Sequence, residues 1–231
     1  MTHLLAFDTC FNACSVAIGV RSDAGIEIVT TRFESMATGQ AERLLPMISN
    51  CFAEAKLSMN DIGTIVVTTG PGTFTGTRIG ISAAKGLALV NQVPVVGLSS
   101  MHLMARHVAL ANVQSSDIAI VIDVRRNEVY HQLFDKHGLK PRTKPELMSV
   151  AQAREVLSSS ECVLFGNGAA LVASHSQAQL LRNENASELL PDARYALNLG
   201  LIRNLSEAAI LPLYLRAPDA KPSSVPSLQR Y

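Results

Sequence analysis

The run Gly70-Pro71-Gly72-Thr73-Phe74-Thr75-Gly76-Thr77-Arg78-Ile79-Gly80 joins an apolar stretch at 62–69 to a small-residue helical pattern at 79–90. Strand, glycine turn and helix make an anion-binding geometry, because glycines permit backbone angles that other residues resist and the new helix aims unpaired N–H groups at the turn. Thr73 and Thr75 offer hydroxyl donors to such an anion. Asp8-Thr9, ending the apolar run at 4–7, and Asp123, ending the one at 119–122, add carboxylates at strand ends. Candidate contacts for a phosphate or nucleotide are therefore Asp8, Thr9, Gly70, Gly72, Thr73 and Gly76.

The turn departs from both common nucleotide signatures. It lacks a Gly-Lys-Ser/Thr ending, and its glycines read GxGxxxG where a dinucleotide loop wants GxGxxG. No Asp or Glu lies between Asp61 and Asp117, so the ribose-binding carboxylate of a Rossmann unit is missing and NAD is discounted. The ionisable side chains of that span are Arg78, Lys85, His102, Arg106 and His107, a bias toward anions or an acidic partner. The competing reading is a tight turn that brings a helix close to its neighbours. For Asp8 and Asp123 the turn-stabilising reading is favoured over a catalytic one, since fold analogy does not carry chemistry with it.

With 231 residues, 48% of them hydrophobic, the chain can bury a large core in one domain or two lobes. Twenty basic against nineteen acidic residues leave a net charge of +1, too little for tight nucleic-acid binding by the chain alone. The apolar start is cut short by Asp8, and no later run reaches membrane-span length, so a cytoplasmic location is expected. Cys10, Cys14, Cys51 and Cys162 lack CxxC spacing and read as buried reduced thiols. No metal site is expected.

Positioning these groups requires a doubled arrangement. Strands are expected at 4–7, 14–20 and 25–33, and again at 119–122 and 129–134, with Asn12 four residues after Asp8 and Asn127 four after Asp123. Gly166-Asn167-Gly168 after the apolar stretch 162–165 echoes Gly70-Pro71-Gly72. The fold class is α/β, two lobes of mixed sheets flanked by helices around a cleft. Residues 1–105 form the first lobe, 106–216 a smaller second lobe and 217–231 a Pro- and Ser-rich flexible tail.

A helix over 41–57 carries Leu44, Leu45, Ile48 and Phe52 on one apolar face, with Pro46 tolerable only in its first turn. The helix from 76 to 90 presents Gly80, Ala84 and Leu87 among small side chains that admit a close neighbour. A last first-lobe strand is expected at 93–98, with Ser99 or Ser100 capping a helix through 111. Further helices are expected at 150–157 and 195–205, separated by a loosely patterned stretch at 174–192.

Asp8-Thr9, the Gly70–Gly80 run and Val93-Pro94-Val95-Val96-Gly97, in that order and spacing, resemble the bacterial TsaB (YeaZ) family. The likeness is densest over 3–105, continues through Asp123-Val124-Arg125-Arg126-Asn127-Glu128-Val129-Tyr130 and returns at Pro212-Leu213-Tyr214-Leu215-Arg216. It implies a fold of the actin, sugar kinase and Hsp70 ATPase class, RNase H-like, with the second lobe reduced. The implied role is that of a noncatalytic, activating subunit in making threonylcarbamoyladenosine in tRNA. That subunit pairs with a TsaD-type transferase and, with it, a TsaE-type ATPase. The catalytic paralogue carries a metal-binding His-x-x-x-His, whose aligned positions here are Ser100 and Met104, while His102 and His107 point apart on a helix.

The partner interface implied by the resemblance and the helix patterns is Leu44, Leu45, Ile48, Phe52, Gly80, Ala84 and Leu87, with Arg216 as a secondary contact. The same face could form a homodimer. Transfer RNA would be met mainly through the complex, and ATP or ADP would be held, if at all, in the assembly. The alternatives are an ATP-dependent phosphotransferase or peptidase of the same fold, or a nucleotide-binding regulator using the glycine turn. Ser99, Ser100 and His102 lack a GxSxG elbow and make a poor hydrolase triad.

Overall fold

Leu4, Leu5, Ala6 and Phe7 are apolar without alternation, the pattern of a strand covered on both faces. In the computed structural model, which describes residues 3–23, 25–111, 116–173, 189–202 and 210–216, this stretch is the centre of the first sheet. The sheet comprises β1 (His3–Asp8), β2 (Ala13–Ser22), β3 (Gly25–Ser35), β4 (Ile62–Thr68) and β5 (Val95–Leu98), in the order β3-β2-β1-β4-β5. β1, β2 and β3 are joined antiparallel, whereas β4 and β5 add in parallel.

The second sheet repeats this plan. β6 (Asp117–Asp123), β7 (Glu128–Phe134), β8 (Glu146–Ser149) and β9 (Cys162–Phe165) lie in the order β8-β7-β6-β9. Among the described residues, only β6 and β9 of this sheet pair in parallel. Third, second, first and fourth strands thus follow one another in both sheets, which is the doubling that the Asp8 and Asp123 echoes predict.

Helices cover both faces of the first sheet. Leu5 and Phe7 face α1 (Gln40–Ala55) and α2 (Phe74–Asn91) in one core cluster. Leu4 and Ala6 face the other way, against Leu103 of α3 (Ser100–Ala111) and Ala196 and Leu197 of α6 (Ala193–Ile202). The second sheet packs on α3 through Met101, Met104 and Val108, and on α4 (Val150–Ser158) and α5 (Ala169–Val172) on its opposite face.

Several expectations need correction. Pro46 sits in the second turn of α1, beyond the first turn in which proline is tolerated; the helix begins at Gln40, whose side-chain amide is pinned to the carbonyls of Phe11 and Met36. Interior proline costs about 3 kcal/mol. Burying Leu44, Met47 and Ile48 contributes roughly 1.5–3 kcal/mol each, and so outweighs that cost. Pro46 itself lies on the exposed side. Neither Ser99 nor Ser100 caps α3 through its hydroxyl: Ser99 Oγ is buried without a partner, and Ser100 Oγ donates to Pro71 O.

The division at residue 105 does not coincide with a break in the chain's packing. It falls inside α3, which contributes to the cores of both sheets, and α6 returns to the first sheet although it lies in the 106–216 segment. Residues 203–205, 174–188 and the 217–231 tail lie outside the described residues.

Candidate functional site

The β1–β2 hairpin turn and the glycine turn before α2 meet directly, through Thr9 with Gly76 and Cys10 with Gly72 and Thr73. Asp8 is fully buried. Thr68 Oγ1 donates to Asp8 Oδ1 at 2.5 Å and the Cys10 amide donates to Asp8 Oδ2 at 3.2 Å. Burial raises its pKa to about 7, against the lowering effect of the Thr68 and Cys10 hydrogen bonds.

Three donors at the turn, the Thr73 and Gly76 amides and the Thr9 hydroxyl, are used within the chain. The Thr73 amide donates to Cys10 O at 2.7 Å, and Thr73 Oγ1 caps α2 by accepting from the Gly76 amide at 3.1 Å. Thr9 Oγ1 donates to Gly76 O at 2.7 Å. A Cβ on Gly72 would fall 2.3 Å from Cys10 O, and one on Gly76 2.1 Å from Thr9 O. Glycine is required at both places for the close approach of the hairpin turn. Gly70, at a φ of 102°, offers its carbonyl to the Ser100 amide at 3.0 Å.

Asp123 occupies the matching position in the second sheet but is exposed. Each carboxylate accepts the amide two residues on: Cys10 N for Asp8, and Arg125 N, at 2.8 Å, for Asp123. The β6–β7 turn places Arg125, Arg126 and Asn127 in the left-handed region, at φ values of 64°, 57° and 59°. Its neighbour Asn167, from the glycine echo, accepts from Asp123 N at 3.0 Å.

Between the two hairpins lies a cleft of ≈760 Å³, lined by Phe11, Asn12, Thr73, Asp123, Arg125 and Arg216 among others. Of the six predicted anion contacts only Gly72 and Thr73 border it. Ser100 is buried, and Met104 belongs to the second-sheet core. His102 lies beside Phe134 and His107 stacks on Tyr195 at 4.5 Å, both partly buried.

The predicted partner residues divide into two groups. Leu44, Ile48, Gly80 and Ala84 are buried under the chain's own helices, so the apolar stripe of α1 faces the sheet. Phe52 and Leu87 are partly buried against the same cluster. Leu45 is 55% exposed, and the outer flank of α2 carries Ser82, Gly86, Leu89 and Val90, the last two 81% and 80% exposed. A Cβ on Gly86 would meet nothing within 4 Å, unlike those on Gly76 and Gly80. Sequence reasoning did not single out the exposed Leu89 and Val90, which lie past the buried positions Gly80, Ile81 and Ala84 of the same helix.

Arg216 is committed within the chain. It donates to Val124 O at 3.2 Å and forms an ion pair with Glu128. Leu213 N donates to Thr69 O at 2.7 Å, and Tyr214 stacks on Phe74 at 5.6 Å while accepting from Arg78 Nε. The 210–216 segment therefore straps the first sheet's glycine turn to the second sheet's hairpin. The cue in the sequence was the return of apolar and aromatic residues at 210–215 before a proline-rich end.

Two sheets of one strand order, each opening with an antiparallel hairpin and meeting at a cleft, define a protein of the actin, sugar kinase and Hsp70 ATPase class. Residues 34–164 match the family described as TsaD, tRNA N6-adenosine threonylcarbamoyltransferase. The chain belongs to the TsaB (YeaZ) family. It is 30% identical to the tRNA threonylcarbamoyladenosine biosynthesis protein TsaB of Haemophilus influenzae, over 92% of this chain and 93% of that one. With TsaB of Escherichia coli it shares 33% identity over 72% and 71% of the two chains. The solved structure of YeaZ from Pseudomonas aeruginosa resembles it with a TM-score of 0.74 at 26% identity, over 93% of this chain and 100% of that one. Among the described residues, no helix is long and apolar enough to cross a membrane.

Proposed function

We propose that this chain serves tRNA threonylcarbamoyladenosine synthesis as a noncatalytic subunit that docks on a TsaD-type transferase and activates it. The relatives named for that pathway support the pathway assignment. The observation that carries the noncatalytic reading is the contact between Cys10 O and the Thr73 amide, which fills the glycine turn with protein atoms and buries Asp8 behind it. A carboxylate withdrawn in this way has no access to a substrate phosphate. Ser100 and Met104, where the paralogue's imidazoles align, offer no comparable metal ligands.

Docking is assigned to the outer flank of α2, with the exposed Leu45 of α1 as a further apolar contact. Leu89 and Val90 supply apolar area that the chain itself does not cover, and Gly86 leaves room for a partner helix backbone. The same flank serves a homodimer when the transferase is absent. A TsaE-type ATPase then joins the pair, in a cytoplasmic complex through which tRNA is met.

The test is reconstitution of adenosine modification on unmodified tRNA with and without this chain. Dependence on the chain is expected, with no turnover of ATP or peptide by the chain alone. Leu89→Asp with Val90→Asp should weaken pairing with the transferase at least about tenfold, since buried apolar anchors dominate such interfaces. Unchanged co-elution would reject this docking face, and ATP hydrolysis lost in Asp8→Asn would reject the noncatalytic reading.

A further inference from the structure

A net charge of +1 conceals a local asymmetry. Between Asp135 and Glu146 the chain carries Lys136, His137, Lys140, Arg142 and Lys144 and no acid. All five side chains are exposed on the loop that joins β7 to β8. Among the described residues only Arg142 of these has an ion-pair partner, Asp117 at 3.2 Å. Asp135, the nearest acid in sequence, is buried and accepts from the Leu139 amide at 2.8 Å.

The loop is held in one shape. Asp135 N donates to Lys140 O at 2.9 Å, Arg142 N to Leu133 O at 2.8 Å, and Arg106 Nη1 to His137 O at 2.9 Å. Gly138, at a φ of 61°, presses on α3 so closely that a Cβ there would lie 2.5 Å from Ala105 O. A fixed backbone that projects four permanent cations into solvent loses little entropy when a polyanion meets it.

We propose that the 136–144 loop is a contact surface for the phosphate backbone of RNA, used in the assembled complex. The proposal rests on the tRNA-modification function proposed above. Among the described residues, no large exposed hydrophobic lies between Leu110 and Val156, whereas protein interfaces enrich aromatics and deplete lysine. Phosphate contacts, by contrast, are made chiefly by Lys and Arg. Location supports simultaneous binding: Leu139 packs with Leu4 and Ala6 on one face of the first sheet, while α1 and α2 pack with Leu5 and Phe7 on the other. A transferase held by α2 therefore leaves the loop open.

The test measures affinity of the chain–transferase complex for unmodified tRNA between about 50 and 200 mM salt. Lys136→Gln with Lys140→Gln and Lys144→Gln should weaken binding about tenfold and flatten the slope of log affinity against log salt by about 1 or more. Lys56→Gln, elsewhere on the surface, should change neither, and the thermal midpoint of the triple variant should match wild type. Unchanged affinity and slope in the triple variant overturn the proposal. Loss of transferase pairing with intact RNA affinity also overturns it, by assigning the loop to a protein partner. Modification that proceeds without this chain would instead reject the pathway reading, while the binding comparison still judges the loop.

Discussion

Thr9 and Gly76 are locked together: Thr9 Oγ1 donates to Gly76 O at 2.7 Å, and a Cβ at position 76 would fall 2.1 Å from Thr9 O. The hairpin turn and the first turn of α2 thus form one packed unit, and the glycines of the motif are required for contact within the chain. Gly86, ten residues on in the same helix, has no such neighbour.

Gly76→Ala should destabilise the protein by about 2–3 kcal/mol through overpacking against backbone that cannot withdraw. Gly86→Ala should be neutral or stabilise by up to about 1 kcal/mol, as expected for an open helical position. Urea denaturation of the two variants checks the contrast. Equal effects would mean that the Thr9 contact is not tight.

Asp8 makes stability depend on pH in a defined window. Its carboxyl is raised from 3.8 to about 7, so the folded state binds the proton more tightly, and between about pH 4 and 7 stability falls as pH rises. Above pH 7 the effect is complete, on the order of 4 kcal/mol for a rise of about three units at roughly 1.4 kcal/mol each. Asp8→Asn removes the titration. The wild type should therefore lose stability relative to Asp8→Asn between pH 5 and 8, read from urea midpoints, and parallel profiles would show that Asp8 does not titrate there.

Arg216 ties the strap to the second hairpin through Val124 O and Glu128. Arg216→Ala should cost about 1 kcal/mol, the scale of a partly exposed ion pair with one further hydrogen bond, and lower the thermal midpoint by roughly 2–4 °C. In a double-mutant cycle, Glu128→Gln should add little once Arg216 is gone. Strict additivity would show that the pair is not coupled.

The thiols should be sluggish in the folded state. Burial raises Cys10, lifts Cys14 to about 12 and lifts Cys162 to about 11. At pH 8 a thiol reagent should modify Cys162 first, since the other three cysteines are buried, and titrate all four only on unfolding. Rapid modification of Cys10 in native protein would contradict its burial.

Much of the architecture was legible because it rests on local periodicity. The unbroken apolar run at Leu4–Phe7 signals a strand covered on both faces, and the repeat of carboxylate, asparagine and glycine turn signals a second sheet of the same plan. Helix ends were less legible. Pro46 was misplaced because intrinsic propensity could not weigh the packing of Leu44 and Met47, and the cap at Ser99 failed because nothing local shows where a hydroxyl points. Leu44, Ile48, Gly80 and Ala84, read as partner contacts, are buried within the chain, since an apolar stripe does not say whether the sheet or another protein covers it.

By itself the sequence determined the strand and helix types, the doubled order and the family, because these follow from side-chain period and residue order. Tertiary structure alone decided that Cys10 and Thr9 pack against the glycine turn, that α6 returns to the first sheet, and that Arg216 turns inward to Glu128. Those outcomes depend on distances between segments far apart in the chain, to which neither composition nor spacing is sensitive.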